Sequence, residues 1–118
     1  MRVATETKAS PPKQIVADLD GMAAKAKEAS DFLKALAHEG RLMILYVLCD
    51  GEKSVTELER RLALRQPTVS QQLARLRMDG LVSTRRHGKA IYYSLANEDV
   101  RSVIDAVHKT FCCRRTAG

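Results

Sequence analysis

The spacing of apolar side chains divides the chain into elements before any chemistry is considered. From Ile15 to Ala37, the residues Ile15, Leu19, Met22, Ala23, Ala26, Ala29, Leu33 and Leu36 recur at steps of three and four, which predicts one face of a long helix. Gly21 weakens its start, and Ser30-Asp31 allows a second nucleation within it. The segment "EGRLMILYVLC", Glu39 to Cys49, is apolar nearly all round, so a helix there belongs at the centre of the domain, and Asp50-Gly51 stops it. Ser54 followed by Glu57 is a capping box, and Val55, Leu58 and Leu62 form the inner stripe of a third helix. After "ALRQ", Pro67 fits the first turn of a fourth helix, whose buried side is Val69, Leu73 and Leu76, with Gly80 as its stop and Leu81 at its exit. The period then changes to two. "LVSTRRHGKAIYYSL" reads as two strands around a His87-Gly88-Lys89 turn, a hairpin with a basic tip. Asn97 caps a last helix with the stripe Val100, Val103, Ile104, Val107 and Phe111.

The expected fold class is therefore mainly α with a small β-hairpin: four helices, two strands and a fifth helix over residues 15–113. Pro11-Pro12 and the polar residues around them mark 1–14 as a disordered N-terminal arm, and 114–118 form a C-terminal tail. Two short helices joined tightly, followed at once by a hairpin, is the layout of a winged helix-turn-helix. With Val69, Leu73 and Leu76 turned inward, periodicity turns Thr68, Gln71, Gln72 and Arg75 outward. These side chains match a DNA major groove: Gln pairs with an adenine edge, Arg with guanine, and hydroxyls with phosphate or base. Gln66 and Ser70 sit at the leading end of the same helix, where orphan N–H groups and the helix dipole favour phosphate. Arg85, Arg86 and Lys89 flank the hairpin tip and would meet phosphates or a narrow minor groove. A solvated helix face is the plainer alternative, and the basic hairpin weighs against it.

Composition narrows the class further. At 118 residues the chain is one domain, 45% hydrophobic but only 4% aromatic and without Trp, so its core rests on Leu, Val, Ile, Met and Ala. Twenty Lys and Arg against 14 Asp and Glu leave a net charge of +6, which favours a polyanionic partner, double-stranded DNA before a membrane. No run approaches the roughly 20 apolar residues of a membrane span, and the N-terminal segment lacks the apolar core of a signal peptide, so a cytoplasmic location is expected. There the three cysteines, Cys49, Cys112 and Cys113, are reduced by default and do not make a disulfide framework. A thiol enzyme would need a cysteine at a helix N-terminus with a base nearby. Both cysteine positions lie near helix C-termini, where the dipole disfavours thiolate, so no enzyme and no cofactor are expected.

From "LAHEGRLMILYVL" through "GEKSVTELERRLALRQPTVSQQLARLRMDGLVSTRRHGKAIYYSL", the sequence resembles the ArsR family of small dimeric bacterial repressors. The resemblance implies a homodimer formed through the first and last helices, and two-fold symmetry in turn implies a palindromic operator. It also directs attention to inducer sites. A C-x-C thiolate motif in the first helix of the reading unit would fall around Val55 to Leu58, where there is no cysteine. A metal site on the last helix would use Asp105 and His108, but its further ligands about a dozen residues on are missing. No metal site is expected from either motif.

The sulfide- and persulfide-responsive sub-group, of the BigR and SqrR type, carries one cysteine on the second helix and one just after an aromatic near the end of the last. "VHKTFC" puts Cys112 directly after Phe111, as that pattern asks. In the second helix Tyr46 stands where the sub-group has its cysteine, and Cys49 follows one helical turn later, displaced by about 4.5 Å along the axis. The resemblance thus implies Cys49 and Cys112 as redox-sensing residues, joined by a di- or polysulfide bridge in response to reactive sulfur species or another thiol oxidant. Arg114 and Arg115 would raise the thiolate fraction nearby, and Cys113, about 100° around the helix from Cys112, takes a spare role. The alternatives are a repressor that senses a thiophilic metal or arsenite through Cys49, Cys112 and Cys113, and a Cys49 that is only a small apolar core residue.

Overall fold

The structure, a computed structural model, describes residues 19–113. The expected arm at 1–14, the start of the first helix at Ile15, the tail at 114–118 with Arg114 and Arg115, and the Cys113 side chain lie outside the described residues. Two compact units are present, one ending at Leu33 and one running from Lys34. In the first, helix α1 (Leu19–Leu36) carries an exposed i,i+4 ion pair between Lys27 and Asp31 at 3.2 Å.

The second unit holds the end of α1 and then α2 (Glu39–Leu48), β1 (Lys53–Ser54), α3 (Val55–Leu62), α4 (Gln66–Met78), β2 (Val82–His87), β3 (Ala90–Leu95) and α5 (Glu98–His108). Each start has a chemical cause. His38 Nδ1 accepts from the Gly40 and Arg41 N–H groups at the head of α2, Ser54 and Glu57 form the reciprocal capping box of α3, and the Asn97 side chain accepts from Val100 N–H at the head of α5. Helix α4 has no side-chain cap and begins instead with Pro67 in its first turn.

The core is aliphatic. Ile44, Leu45 and Leu48 of α2, Leu58 of α3, Val69, Leu73 and Leu76 of α4 and Ile104 of α5 are all buried. The α3–α4 turn is closed by Ala63, whose φ of 55° places a non-glycine residue in the left-handed region while its N–H donates to Glu59 O. In the hairpin, the pairs His87↔Ala90 and Arg86↔Ile91 leave Gly88 and Lys89 as a two-residue turn. Gly88 takes φ +65° there, a conformation that L side chains rarely adopt.

Two features depart from the sequence expectation. The hairpin belongs to a three-stranded antiparallel sheet of order β1-β3-β2, with Lys53 opposite Tyr93 and Ser54 opposite Tyr92. A two-residue strand carries no periodic signal, and it forms because β3 offers it a partner edge. The last helix stops being α-helical at His108 and continues as a π-helical turn, Lys109–Cys113, so Phe111, placed on the apolar stripe by its spacing, is 69% exposed. Among the described residues no helix is long and apolar enough to cross a membrane.

Candidate nucleic-acid interface and thiol cluster

Helix α4 is built with one side in the core and the other in water. Its three buried residues, Val69, Leu73 and Leu76, have no solvent exposure, while Gln66, Thr68, Gln71 and Arg75 are exposed and Ser70 and Gln72 half-buried. The polar groups are already organised among themselves. Gln66 Nε2 donates to Ser70 Oγ at 2.7 Å across one turn, and Arg75 Nε donates to Asp79 Oδ2 at 2.8 Å. Gln72 Oε1 accepts from Arg41 Nη1 of α2 at 3.4 Å, which accounts for its partial burial. Gln71 carries its amide on the exposed side, one turn before Arg75.

The three cations of the hairpin are not equivalent. Arg86 and Lys89 are exposed at its tip. Arg85 folds back: its guanidinium pairs with the Glu52 carboxylate, Nε lying 3.2 Å from Oε2, and it lies over the Tyr92 ring at 5.2 Å from the centroid. That pair holds the Glu52 carboxyl below the usual carboxylate range. Periodicity placed Arg85 beside the tip correctly, but it could not show the acidic partner, which is 33 residues away in sequence. Lys53, buried beneath the same loop, donates from Nζ to Gly51 O at 3.1 Å and lies 3.6 Å from Asp50 Oδ2. Arg61 also reaches Asp50, at 3.3 Å, so the loop before α3 is clamped by cations from two directions.

The thiols lie at the other end of α2. Cys49 is its C-cap and half-buried, and Arg101 of α5 donates from Nη1 to the Cys49 carbonyl at 2.8 Å. A cleft of about 300 Å³ is lined by Tyr46, Cys49, Asp50, Asp105 and His108. The Tyr46 ring stands edge-on to the His108 ring, with centroids 5.5 Å apart. Cys112 is exposed in the π-helical turn, four residues beyond His108. The Tyr46 phenol is pushed above its ordinary pKa first by burial, then by Cys112 as a neighbouring charge and hydrogen-bond partner, and finally by Cys49. One phenol therefore feels both sulfurs. Burial pushes the Cys49 thiol up as well, the Asp105 carboxylate adds to this, and the Arg101 guanidinium opposes it.

Sequence reasoning singled out Cys49 and Cys112 but gave no role to Tyr46 or Arg101. The arginine was invisible because an arginine on an amphipathic helix looks like solvated surface until its carbonyl partner is known. Among the described residues no group of three or more His, Cys, Asp and Glu side chains is placed to hold a metal ion.

Comparison with known proteins agrees with this geometry. The pattern of bacterial regulatory proteins of the arsR family matches residues 38–84, from the cap of α2 into β2. The chain is 46% identical over 109 residues to the biofilm growth-associated repressor of Agrobacterium fabrum, covering 92% of this chain and 93% of that protein. Reduced HlyU from Vibrio cholerae superposes with a TM-score of 0.74 at 43% identity, covering 78% of this chain and 97% of that one. The homodimeric winged helix-turn-helix DNA-binding domain of Mb0332 from Mycobacterium bovis gives a TM-score of 0.66 at 32% identity, with 86% and 88% covered. A tightly joined helix pair with a polar outer face, a basic wing that follows it, and relatives of this identity and coverage lead to one assignment: the chain belongs to the arsR family of bacterial regulatory proteins.

Proposed function

We propose that this chain is a homodimeric transcriptional repressor that binds a palindromic operator through α4 and the β2–β3 wing, and that leaves it when Cys49 and Cys112 become bridged by reactive sulfur. The observation that carries the DNA-binding half is the two-sided build of α4. Its core side is fully buried and holds the helix rigidly, which leaves Gln71 and Arg75 as exposed, correctly spaced readers of base edges. Gln66, Thr68 and Ser70 at its leading end suit phosphate, and Arg86 and Lys89 at the wing tip suit the backbone beyond the major groove. Arg85 reaches DNA only by giving up Glu52 or sharing it. The repressor relative and the homodimeric DNA-binding domain support this reading. So do the large apolar side chains left exposed at Leu19 and Leu33 of α1 and at Phe111 in the turn after α5.

The thiol half rests on the shared neighbourhood of Cys49, Tyr46 and Cys112. Cys112 is the exposed sulfur and meets the donor first. Its thiolate takes the outer sulfur of a low-molecular-weight persulfide and releases that donor's thiolate. The Cys49 thiolate then attacks the inner sulfur of the Cys112 persulfide, which closes the bridge and expels hydrosulfide. A covalent tie between the end of α2 and the turn after α5 would change how the reading unit sits on the dimer. Decisive release takes several kcal/mol of difference between the two states, and a covalent bond supplies it. The description of one relative's structure as its reduced form fits a chain whose thiols are chemically active.

The experiment is an operator-binding titration with and without a persulfide donor, paired with intact-mass measurement. Gln71→Ala and Arg75→Ala should each cost about 1 to 3 kcal/mol on the cognate operator and far less on non-specific DNA. Cys49→Ser and Cys112→Ser should bind DNA but no longer release it, while Cys113→Ser still responds. Operator binding unchanged in both α4 variants would remove α4 as the reading helix. Release by Cys49→Ser would remove the bridge and point to the Cys112-Cys113 pair or to a bound thiophilic ion.

A further inference from the structure

The contact between Arg41 and Gln72 constrains what the recognition helix can read. Arg41, on the first turn of α2, spends its guanidinium three ways. Nε donates to Ala35 O at 2.8 Å and Nη2 to Lys34 O at 3.4 Å, carbonyls in the last turn of α1, where Lys34 O also accepts from Ala37 N–H at 3.2 Å. Nη1 donates to Gln72 Oε1 at 3.4 Å. A guanidinium has donors only, so the partner atom on the amide has to be its oxygen. The Gln72 nitrogen consequently turns the other way, and it lies 3.9 Å from where a Cβ on Gly40 would stand. Gln72 lines a cleft of about 510 Å³ together with His38, Arg41, Gln71 and Arg75 among others.

We propose that Arg41 is a specificity-determining positioning residue that makes Gln72 a donor-only contact, restricted to an acceptor on DNA. The inference rests on α4 being the DNA-reading helix. A glutamine that reads adenine does so with both ends of its amide, accepting from N6–H and donating to N7. With its oxygen turned towards Arg41, Gln72 cannot set that oxygen opposite an adenine N6–H, and it presents DNA with the N–H donors of its nitrogen. Its partner is then a phosphate oxygen or a base acceptor (purine N7, guanine O6 or thymine O4), and none of these selects adenine over the other bases. Gln71, next in the chain and exposed, keeps both ends of its amide for a base. Two adjacent glutamines of identical chemistry thus have different vocabularies, because one of them has an arginine behind it.

The test measures operator binding across all single-base variants for the wild type, Gln72→Glu and Arg41→Met, with thermal melting as the control for folding. Gln72→Glu keeps an acceptor for Arg41 and removes the donor, so it should fold as the wild type and lose about tenfold or more in operator affinity. Wild-type affinity in Gln72→Glu would show that Gln72 only tethers α4 to α2, and would overturn the proposal. Arg41→Met frees the oxygen, so a preference for adenine over guanine of about tenfold should appear at one base pair in each half-site, with preferences elsewhere unchanged. An unchanged preference profile in a folded Arg41→Met protein would equally overturn it. Operators carrying base analogues that lack N7, O6 or O4 at single positions, or methylphosphonate at single linkages, separate base from phosphate acceptors: the substitution that weakens the wild type but not Gln72→Glu marks the contacted atom, and no such substitution in either series counts against the contact. Loss of binding in Gln71→Ala and Arg75→Ala alongside these failures would leave α4 as the reading helix and reject only this inference. Wild-type binding in all the α4 variants would reject the reading itself.

Discussion

Around Leu73 the signals that place it are close in sequence: Val69 and Leu76 share its helix face, and the capping box at Ser54 and Glu57 fixes the helix before it. Around Cys49 they are distant. Its carbonyl is bonded by Arg101, 52 residues on, its cleft is completed by Asp105 and His108, and the phenol beside it also faces Cys112. The reading unit is therefore laid out by local signals, period and caps, and made rigid when the neighbouring elements cover the buried side of α4. The thiol cluster exists only where α2 and α5 have packed, and every group in it tunes another. A reading surface benefits from being unresponsive, whereas the proposed thiol switch needs its chemistry linked to tertiary structure.

If the reading unit owes its rigidity to the buried side of α4, Leu73→Ala should be the costliest change, about 2 to 5 kcal/mol in chemical denaturation. A loss below 1 kcal/mol would mean the helix is held by something other than its core side. Ser54→Ala should cost about 1 kcal/mol by the same measurement, because Glu57 N–H loses its acceptor and the reciprocal box opens. The Glu57 carboxyl is held below the usual range chiefly by its bond from the Ser54 backbone N–H. Its contribution is therefore present above the ordinary carboxylate pKa and lost as pH falls through the lowered one.

Ala63→Gly at the α3–α4 turn should move the other way, gaining up to about 1 kcal/mol, because a left-handed alanine is strained and glycine is not. Destabilisation there would show that the methyl group packs in a way that outweighs its strain.

The smallest effect sharpens the other half of the comparison. Alkylation of Cys49, followed against pH, should have a midpoint above the ordinary thiol value. Asp105→Asn should lower that midpoint and Arg101→Met should raise it further, since the first removes a negative charge and the second a positive one. Because the folded state keeps a proton that the unfolded chain loses, the thiol's contribution to stability falls as pH rises from the ordinary thiol value through the raised one. A midpoint indifferent to Asp105 would place the thiol outside the field of α5.

Much of this protein could be read along the chain. The positions of α2, α3, α4 and α5, the capping box, the turn at Gly88 and the outward faces of Gln71 and Arg75 all follow from periodicity and cap chemistry, which are properties of neighbouring residues. The strand Lys53–Ser54 was not legible, because two residues carry no period and only the edge of β3 makes them a strand. The split between Gln71 and Gln72, the engagement of Arg85 by Glu52 and the place of Tyr46 beside both thiols were hidden for a related reason. Sequence determines which face of an element a side chain occupies. What that side chain meets there, an arginine, a carboxylate or a sulfur brought in from another element, is decided only when the elements pack, because hydrogen bonds and charges act over a few ångströms of space and take no account of separation along the chain.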